Sequence, residues 1–126
     1  MRFYHTTRVS LVNKILTEGL KPSSGISGGL GSLEYEDLRG KVYLGRDREE
    51  SWANLENARG LTKWELEGIG LNWKVLTAPH ALLEVDLPET FPVELTQEGE
   101  FYTSVTVPPE FIKVLRVEKQ RYRLKS

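Results

Sequence analysis

Arg2-Phe3-Tyr4-His5-Thr6-Thr7, followed after Arg8 by Val9-Ser10-Leu11-Val12-Asn13-Lys14-Ile15-Leu16-Thr17-Glu18-Gly19-Leu20, decides how the rest of the chain is read. The alternation of bulky residues over 1–5 predicts a short strand. From Thr7 onward the pattern changes to a helical one, with Val12, Ile15 and Leu16 on one face. Thr7 or Ser10 is a candidate cap for its start, and Gly19 stands where a left-handed residue would stop it. The strand therefore delivers His5 to its end, beside two hydroxyl residues and a helix. A lone histidine there is either a polar strand-terminal residue or a ligand-facing group.

Working outward, residues 21–40 are rich in glycine and serine and carry Pro22, too much breaker content for a regular element. A loop of that length in so small a chain suits a lid or binding loop. KVYLGRD (41–47) reads as a second short strand ending in a turn. REESWANLENARG (48–60) reads as a helix, with acidic residues in its first turn and Trp52, Leu55 and Ala58 spaced to face inward. The stretch 61–80, with two tryptophans and the Gly68/Gly70 pair, suggests an irregular, partly buried crossing. Beyond it ALLEVDL (81–87), FPVEL (91–95), EFYTSVTV (100–107) and IKVLRVEKQ (112–120) are strand-like and separated by Pro and Gly signals. Helices early and strands late give an α+β domain spanning 1–126, with a split, mainly antiparallel sheet.

The chain has 126 residues, 17 Lys+Arg against 18 Asp+Glu, two histidines and no cysteine. That balance argues against association driven by bulk attraction to phosphate backbones. The absence of cysteine excludes a disulfide framework, a thiolate zinc site and a cysteine nucleophile. His5 and His80 are far apart, with no cluster at metal-ligand spacing, so no metal is expected. No apolar run has membrane-spanning length and no signal-peptide pattern opens the chain, so the expected address is cytoplasmic, with no membrane partner. The glycines of SGGLGS (27–32) follow no strand and open no helix, which fails the context test for a dinucleotide-binding fingerprint, and no phosphate-binding P-loop motif occurs. The basic end EKQRYRLKS (118–126) reads as a solvated terminus, with contact to nucleic acid as the alternative.

Three stations remain: His5, Tyr43 in VYLGRD, and Glu100 in QEGEFYTSVTVPPEFI. Singly, Tyr43 reads as a core or edge aromatic and Glu100 as a solvated strand residue. Together and in this order they resemble the ADP-ribosyltransferase family, in the His-Tyr-Glu branch of diphtheria toxin and the poly(ADP-ribose) polymerases, as a small single-domain prokaryotic or viral type. That branch has a first strand like YHGT and a helix like ILEEGL, where this chain has YHTT and ILTEGL. It has a VYL strand leading into a turn and helix, and a glutamate opening a strand that leads into IPPE and an apolar residue. LLEVDLP (82–88) also looks like the family. The likeness runs from Phe3 to Val117, the middle third excepted. The chain departs from it at Thr6, where the family usually has a glycine whose backbone approaches the nicotinamide amide.

The resemblance implies that NAD is the co-substrate and that the nicotinamide–ribose bond breaks, with ADP-ribose passing to an acceptor. Such a bond breaks through an oxocarbenium-like transition state. Glu100 is then the catalytic carboxylate, stabilising the growing charge and holding the 2′-hydroxyl. Tyr43 is the ring on which the cationic nicotinamide stacks. His5 offers an imidazole N–H to the adenosine ribose, and Thr6 offers its backbone to the nicotinamide amide. Residues 21–40 are the expected lid over NAD. The glutamate should lie on a strand beside that of His5, and the three residues should share one cleft. Glu98, two before Glu100, either selects a guanidinium acceptor or is a solvated turn residue. The acceptor is a protein, a nucleic acid or a small molecule, in a setting such as a toxin or effector. The alternatives are an RNA 2′-phosphotransferase-like enzyme, a catalytically silent module that binds NAD, ADP-ribose or a protein, and a purely structural module.

Overall fold

A computed structural model describes residues 1–22 and 40–124. The loop over 21–40 therefore lies outside the described residues except at its ends. Among them the fold is α+β, with two three-stranded antiparallel sheets and a few short helices. β1 (Arg2–Arg8), β3 (His80–Asp86) and β6 (Ile112–Val117) form the first sheet, in the order β1-β3-β6. β2 (Val42–Leu44), β5 (Phe101–Thr103) and β4 (Glu94–Leu95) form the second, in the order β2-β5-β4. The helices are α1 (Val12–Glu18), α2 (Arg48–Arg59), α3 (Lys63–Gly68) and α4 (Trp73–Thr77).

β3 is central, with His5 opposite Leu83 and Thr6 opposite Leu82 on one side and β6 on the other. A central strand is covered on both faces, which is why His80-Ala81-Leu82-Leu83 is a continuous buried run rather than an alternating one. The two faces feed two cores. Phe3, Leu83 and Val85 meet Ile15, Leu20, Val42, Leu44 and Val107 on the side of the second sheet. Leu82 meets Trp52, Leu55, Leu66 and Leu76 on the side of α2–α4, with Tyr4 packed against that group.

The first helix starts later than its sequence pattern predicts. β1 runs on through Thr7, which is buried, and Val9–Leu11 form a 3₁₀ turn before α1. Neither turn nor helix has a side-chain cap, so Thr7 and Ser10 do not serve as one. Ile15 points inward but Leu16 is 41% exposed, because the shorter helix buries a narrower face. Gly19 ends α1 with φ 90° and ψ 172°, a positive φ but not a left-handed helical residue, and Leu20 then pairs with Val107.

The crossing at 61–80 is ordered into two short helices. Thr62 and Glu65 form a reciprocal capping box on α3, and the Asn72 side chain caps α4. The strand-like runs at 91–95 and 100–107 shorten to β4 and β5, which stops at Thr103. The Thr103 hydroxyl donates to the Pro92 carbonyl and accepts from the Val105 amide, so the chain turns aside there. No helix among the described residues is long and apolar enough to cross a membrane.

The end of the chain, read from sequence as a solvated basic terminus, is exposed over 119–123 but crosses α2–α4 as a strap fastened at a few points. Glu118 pairs with Arg59, the Tyr122 amide donates to the Thr77 carbonyl, and Leu124 packs against the second core. Leu124 against the second core, the Tyr122 ring under the Arg59 guanidinium and the Tyr122 amide fasten it, contacts that its basic composition conceals.

Candidate functional site

The two sheets are stitched together at one corner. Tyr4 of β1 exchanges both backbone hydrogen bonds with Gly45 just past β2, at 2.7 and 2.8 Å. One residue further along β1, His5 Nδ1 lies 2.9 Å from the Tyr43 carbonyl. A carbonyl only accepts, so Nδ1 carries the proton and donates. Next along, the Thr6 hydroxyl donates to the Ser51 carbonyl at 3.0 Å, fastening the first turn of α2 to the same corner. A Cβ on residue 45 would collide with Ser51 Oγ, so glycine lets the Ser51 side chain sit against this corner without turning aside. Asp47 caps α2 by accepting from the Glu50 amide.

His5 is half-buried in this corner. Burial pulls its pKa below the ordinary imidazole value, opposed by the bond to the Tyr43 carbonyl. The neutral ring therefore has its N–H committed to the protein and a lone pair on Nε2. With Nδ1 as the donor, the neutral ring leaves Nε2 as an acceptor, so the expected N–H toward a ligand would need the charged ring.

Glu100 arrives by a different route. Thr96 and Glu100 close a hairpin, with the Thr96 amide donating to the Glu100 carbonyl at 2.8 Å and the Glu100 amide to the Thr96 hydroxyl at 3.0 Å. Gly99 completes the turn at φ 87°, donating to the Thr96 carbonyl, the arrangement of a type I turn closed by a positive-φ residue. Glu100 thus precedes β5, whose partners are β2 and β4. The expectation that it lies on a strand beside β1 is not met, because β5 lies between β2 and β4 and it is the end of β2, at Gly45, that bridges to β1. Glu100 is exposed and enters no hydrogen bond or ion pair of its carboxylate with the described residues. Glu98 lies exposed at the hairpin tip.

Strand pairing nevertheless relates Glu100 to Tyr43. Tyr43 is opposite Tyr102, which in turn is opposite Glu94, so the three form one row across β2, β5 and β4. Glu100 falls two residues before Tyr102, on the same side of the strand alternation. The Tyr43 and Tyr102 ring centroids are 6.1 Å apart with planes at 48°. Lys41 Nζ lies 4.9 Å from the Tyr102 centroid. The Glu94 carboxylate facing its hydroxyl raises the Tyr102 phenol's pKa, so the phenol stays protonated. Tyr102, Lys41, Glu94 and Ser51 are residues that sequence reading missed. Tyr102 had a signal in its spacing of two from Glu100; the others depend on long-range pairing.

A cleft of about 460 Å³ lies elsewhere, where Asp47, Trp52 and Glu56 of the α2 region face Leu82 and Arg116 of the first sheet. It includes none of His5, Tyr43 and Glu100. Arg116 stacks on Trp52 at 4.2 Å beside it. Among the described residues no group of three His, Cys, Asp or Glu is placed to hold a metal ion. The chain matches no protein-family model, no curated protein and no solved structure.

Proposed function

We propose that this chain is an NAD-dependent mono-ADP-ribosyltransferase with an ADP-ribosyltransferase-like split sheet, Glu100 as its catalytic carboxylate and NAD as co-substrate. The observation that carries this reading is the corner itself: two strands distant in sequence bring the His5 ring onto the Tyr43 backbone, while β5 sets Glu100 next to the row of Tyr43.

Each group suits its part. The Tyr43 ring supplies a flat, electron-rich surface for a cationic nicotinamide, an attraction that fades as the leaving group becomes neutral. His5 Nε2 accepts a hydroxyl hydrogen bond from a ribose. The solvent-facing Glu100 carboxylate, unpaired among the described residues, holds the 2′-hydroxyl of the other ribose and opposes the positive charge that develops there. The bond from the anomeric carbon to the nicotinamide nitrogen breaks with its electron pair leaving on nicotinamide. The acceptor nucleophile bonds to that carbon, and its proton passes to Glu100 or solvent. The Thr6 hydroxyl is drawn onto α2 by Ser51, which leaves the backbone of Thr6 to meet the nicotinamide amide. The acceptor belongs to the protein, nucleic acid or small-molecule class.

The test is nicotinamide release from NAD labelled on its adenylate half, with transfer of label to an acceptor in a lysate or to the protein itself. Glu100→Gln is expected to preserve NAD binding and slow release about a hundredfold or more, since the carboxylate acts on a charge present only in the transition state. An unchanged release rate would overturn the role of Glu100. NAD binding without any release from the wild-type protein would favour the silent module. Protease or nuclease sensitivity of the labelled product then names the acceptor class.

A further inference from the structure

The basic end of the chain does not stand alone. Residues 61–77 and 119–123, which take in α3, α4 and the exposed strap, hold five of the 17 Lys+Arg but only two of the 18 Asp+Glu, so a chain of net charge −1 carries a cationic face. Trp73 is where its charges gather. Lys63 Nζ lies 4.1 Å from the centre of the Trp73 ring and Lys74 Nζ 5.8 Å. The Arg121 guanidinium reaches the same place from the strap, donating to the Lys74 carbonyl at 3.1 Å. None of these three cations forms an ion pair with a carboxylate among the described residues. The two carboxylates of the face are engaged in holding it: Glu65 accepts from the Thr62 amide in the capping box, and Glu67 from the Trp73 indole N–H at 3.2 Å.

Next to Lys63 on α3, Trp64 is 82% exposed and neither belongs to a core nor packs against one. Packing does not account for an indole there. Among the described residues of this face the other exposed large apolar side chain is Ile69, too little apolar surface for the hydrophobic centre of a protein interface. A bare ring beside cations whose charges are unpaired matches a partner that carries planar rings and negative charges in alternation. In a duplex the base faces are already stacked on one another, so the strand that offers a free face is a single one.

We propose that the face formed by α3, α4 and the strap binds single-stranded nucleic acid, with a base stacked on Trp64 and phosphates taken by Lys63, Lys74 and Arg121. This goes beyond the transferase reading and does not rest on it: the strand is a partner whether or not it is the acceptor.

Fluorescence anisotropy of a labelled oligothymidylate, titrated with the full chain without NAD at several salt concentrations, tests the proposal. Three phosphate contacts to a single strand give a slope of log K against log salt of about −2. Trp64→Ala is expected to weaken binding about five- to a hundredfold, the range of one lost stacked base, with the slope unchanged. Trp64→Phe keeps a stacking face and should recover most of that loss. Lys63→Gln and Lys74→Gln should each flatten the slope by about 0.7. As a surface substitution Trp64→Ala should melt within about 2 °C of wild type, which separates a lost contact from a lost fold. No binding at low salt overturns the proposal, and so does an affinity unchanged in Trp64→Ala. A duplex bound as tightly as the single strand removes the stacked base, and a polyglutamate peptide bound as tightly assigns the face to an acidic protein instead. Nicotinamide release, measured separately, bears on the transferase reading alone.

Discussion

The buried end of α2 and the exposed hairpin before β5 treat their charges in opposite ways. At the first, Arg59 is 3% exposed and spends its donors on Glu118, the Leu76 carbonyl and the Ala78 carbonyl, at 2.7 to 3.2 Å. Glu118 also accepts from the His80 amide at 2.9 Å. At the second, Glu98 and Glu100 face solvent on a turn whose hydrogen bonds are all made by backbone and Thr96. A buried charge is tolerable only when its partners are complete, so the Arg59 end holds the structure together. The Glu100 carboxylate, by contrast, has no hydrogen bond or ion pair with the described residues, as its proposed role requires.

That contrast breaks most sharply at Arg59. Arg59→Ala leaves Glu118 facing the second core without its counter-ion and frees the Leu76 and Ala78 carbonyls. Removing one partner of such a pair costs about 3–5 kcal/mol. Denaturant unfolding should show this loss, and amide exchange should show the strap at Glu118–Leu124 released. The double variant Arg59→Met, Glu118→Met should recover much of it, since the penalty lies in the orphaned charge rather than in the missing attraction. Glu100→Gln, by contrast, is expected to leave the melting temperature unchanged.

The elements visible in the sequence are those specified locally. The alternation over 1–5, the acidic start and Trp52/Leu55 spacing of α2, and the apolar run of β3 all appear where their patterns place them, with β1 running on to Arg8. The capping box at Thr62–Glu65 was equally local, and it marks α3 within a stretch whose tryptophans and glycines suggest irregularity. What local pattern does not carry is pairing. Nothing near Glu100 says that β5 lies beside β2 rather than β1, and nothing near Lys41 or Glu94 says that they meet at Tyr102. The strap was concealed for a related reason: Lys119, Arg121 and Arg123 give it a solvated composition, while Glu118 and Tyr122 act through Arg59, which lies far back in the chain.

A smaller effect separates the same two regions by pH. His80 is 2% exposed, and its Nδ1 donates to the Ala78 carbonyl at 2.6 Å. The Arg59 guanidinium nitrogen 3.4 Å away is a second donor and makes no bond there. Burial lowers the His80 pKa; the Ala78 carbonyl and Glu118 oppose this, while Arg59 and Arg8 reinforce it. Arg8 stands opposite His80 across the sheet, with its Nε buried and unpartnered among the described residues. Below about 6.5 the unfolded chain takes up a proton that the folded imidazole resists, so stability is full above that pH and falls as pH drops through it. His5, lowered by burial too, adds in the same direction. Glu118 responds only at more acid pH: burial raises its pKa, but the bonds from Arg59 and the His80 amide outweigh this and hold it below the usual carboxylate value. Melting temperature measured between pH 7.5 and 5 should decline, and His80→Gln, which keeps a donor for Ala78, should flatten the decline. An equal slope in both proteins would assign it to His5 or elsewhere.

The smallest expected effect lies where the two regions join. The Thr6 hydroxyl ties β1 to α2 through the Ser51 carbonyl, and α2 in turn carries Arg59 at its other end. Thr6→Val keeps the β-branched shape that suits a strand and removes only the hydrogen bond, so the cost is about 1 kcal/mol. For a chain of this length that is a fall of about 3–5 °C in melting temperature. Thr6→Ser keeps the bond and discards the methyl group. If the bond is what turns the side chain toward α2 and leaves the strand backbone clear, Thr6→Ser should bind NAD as wild type does, while Thr6→Val, no longer held, should bind it more weakly as its methyl groups swing toward the corner. If instead both variants bind NAD alike and tighter than wild type, the threonine methyl crowds the ligand, and the difference from the glycine usual in the resembled family is a direct restraint on the site. Calorimetric titration of NAD into the three proteins, read beside their melting temperatures, distinguishes a stitch that serves stability alone from one that also shapes the site.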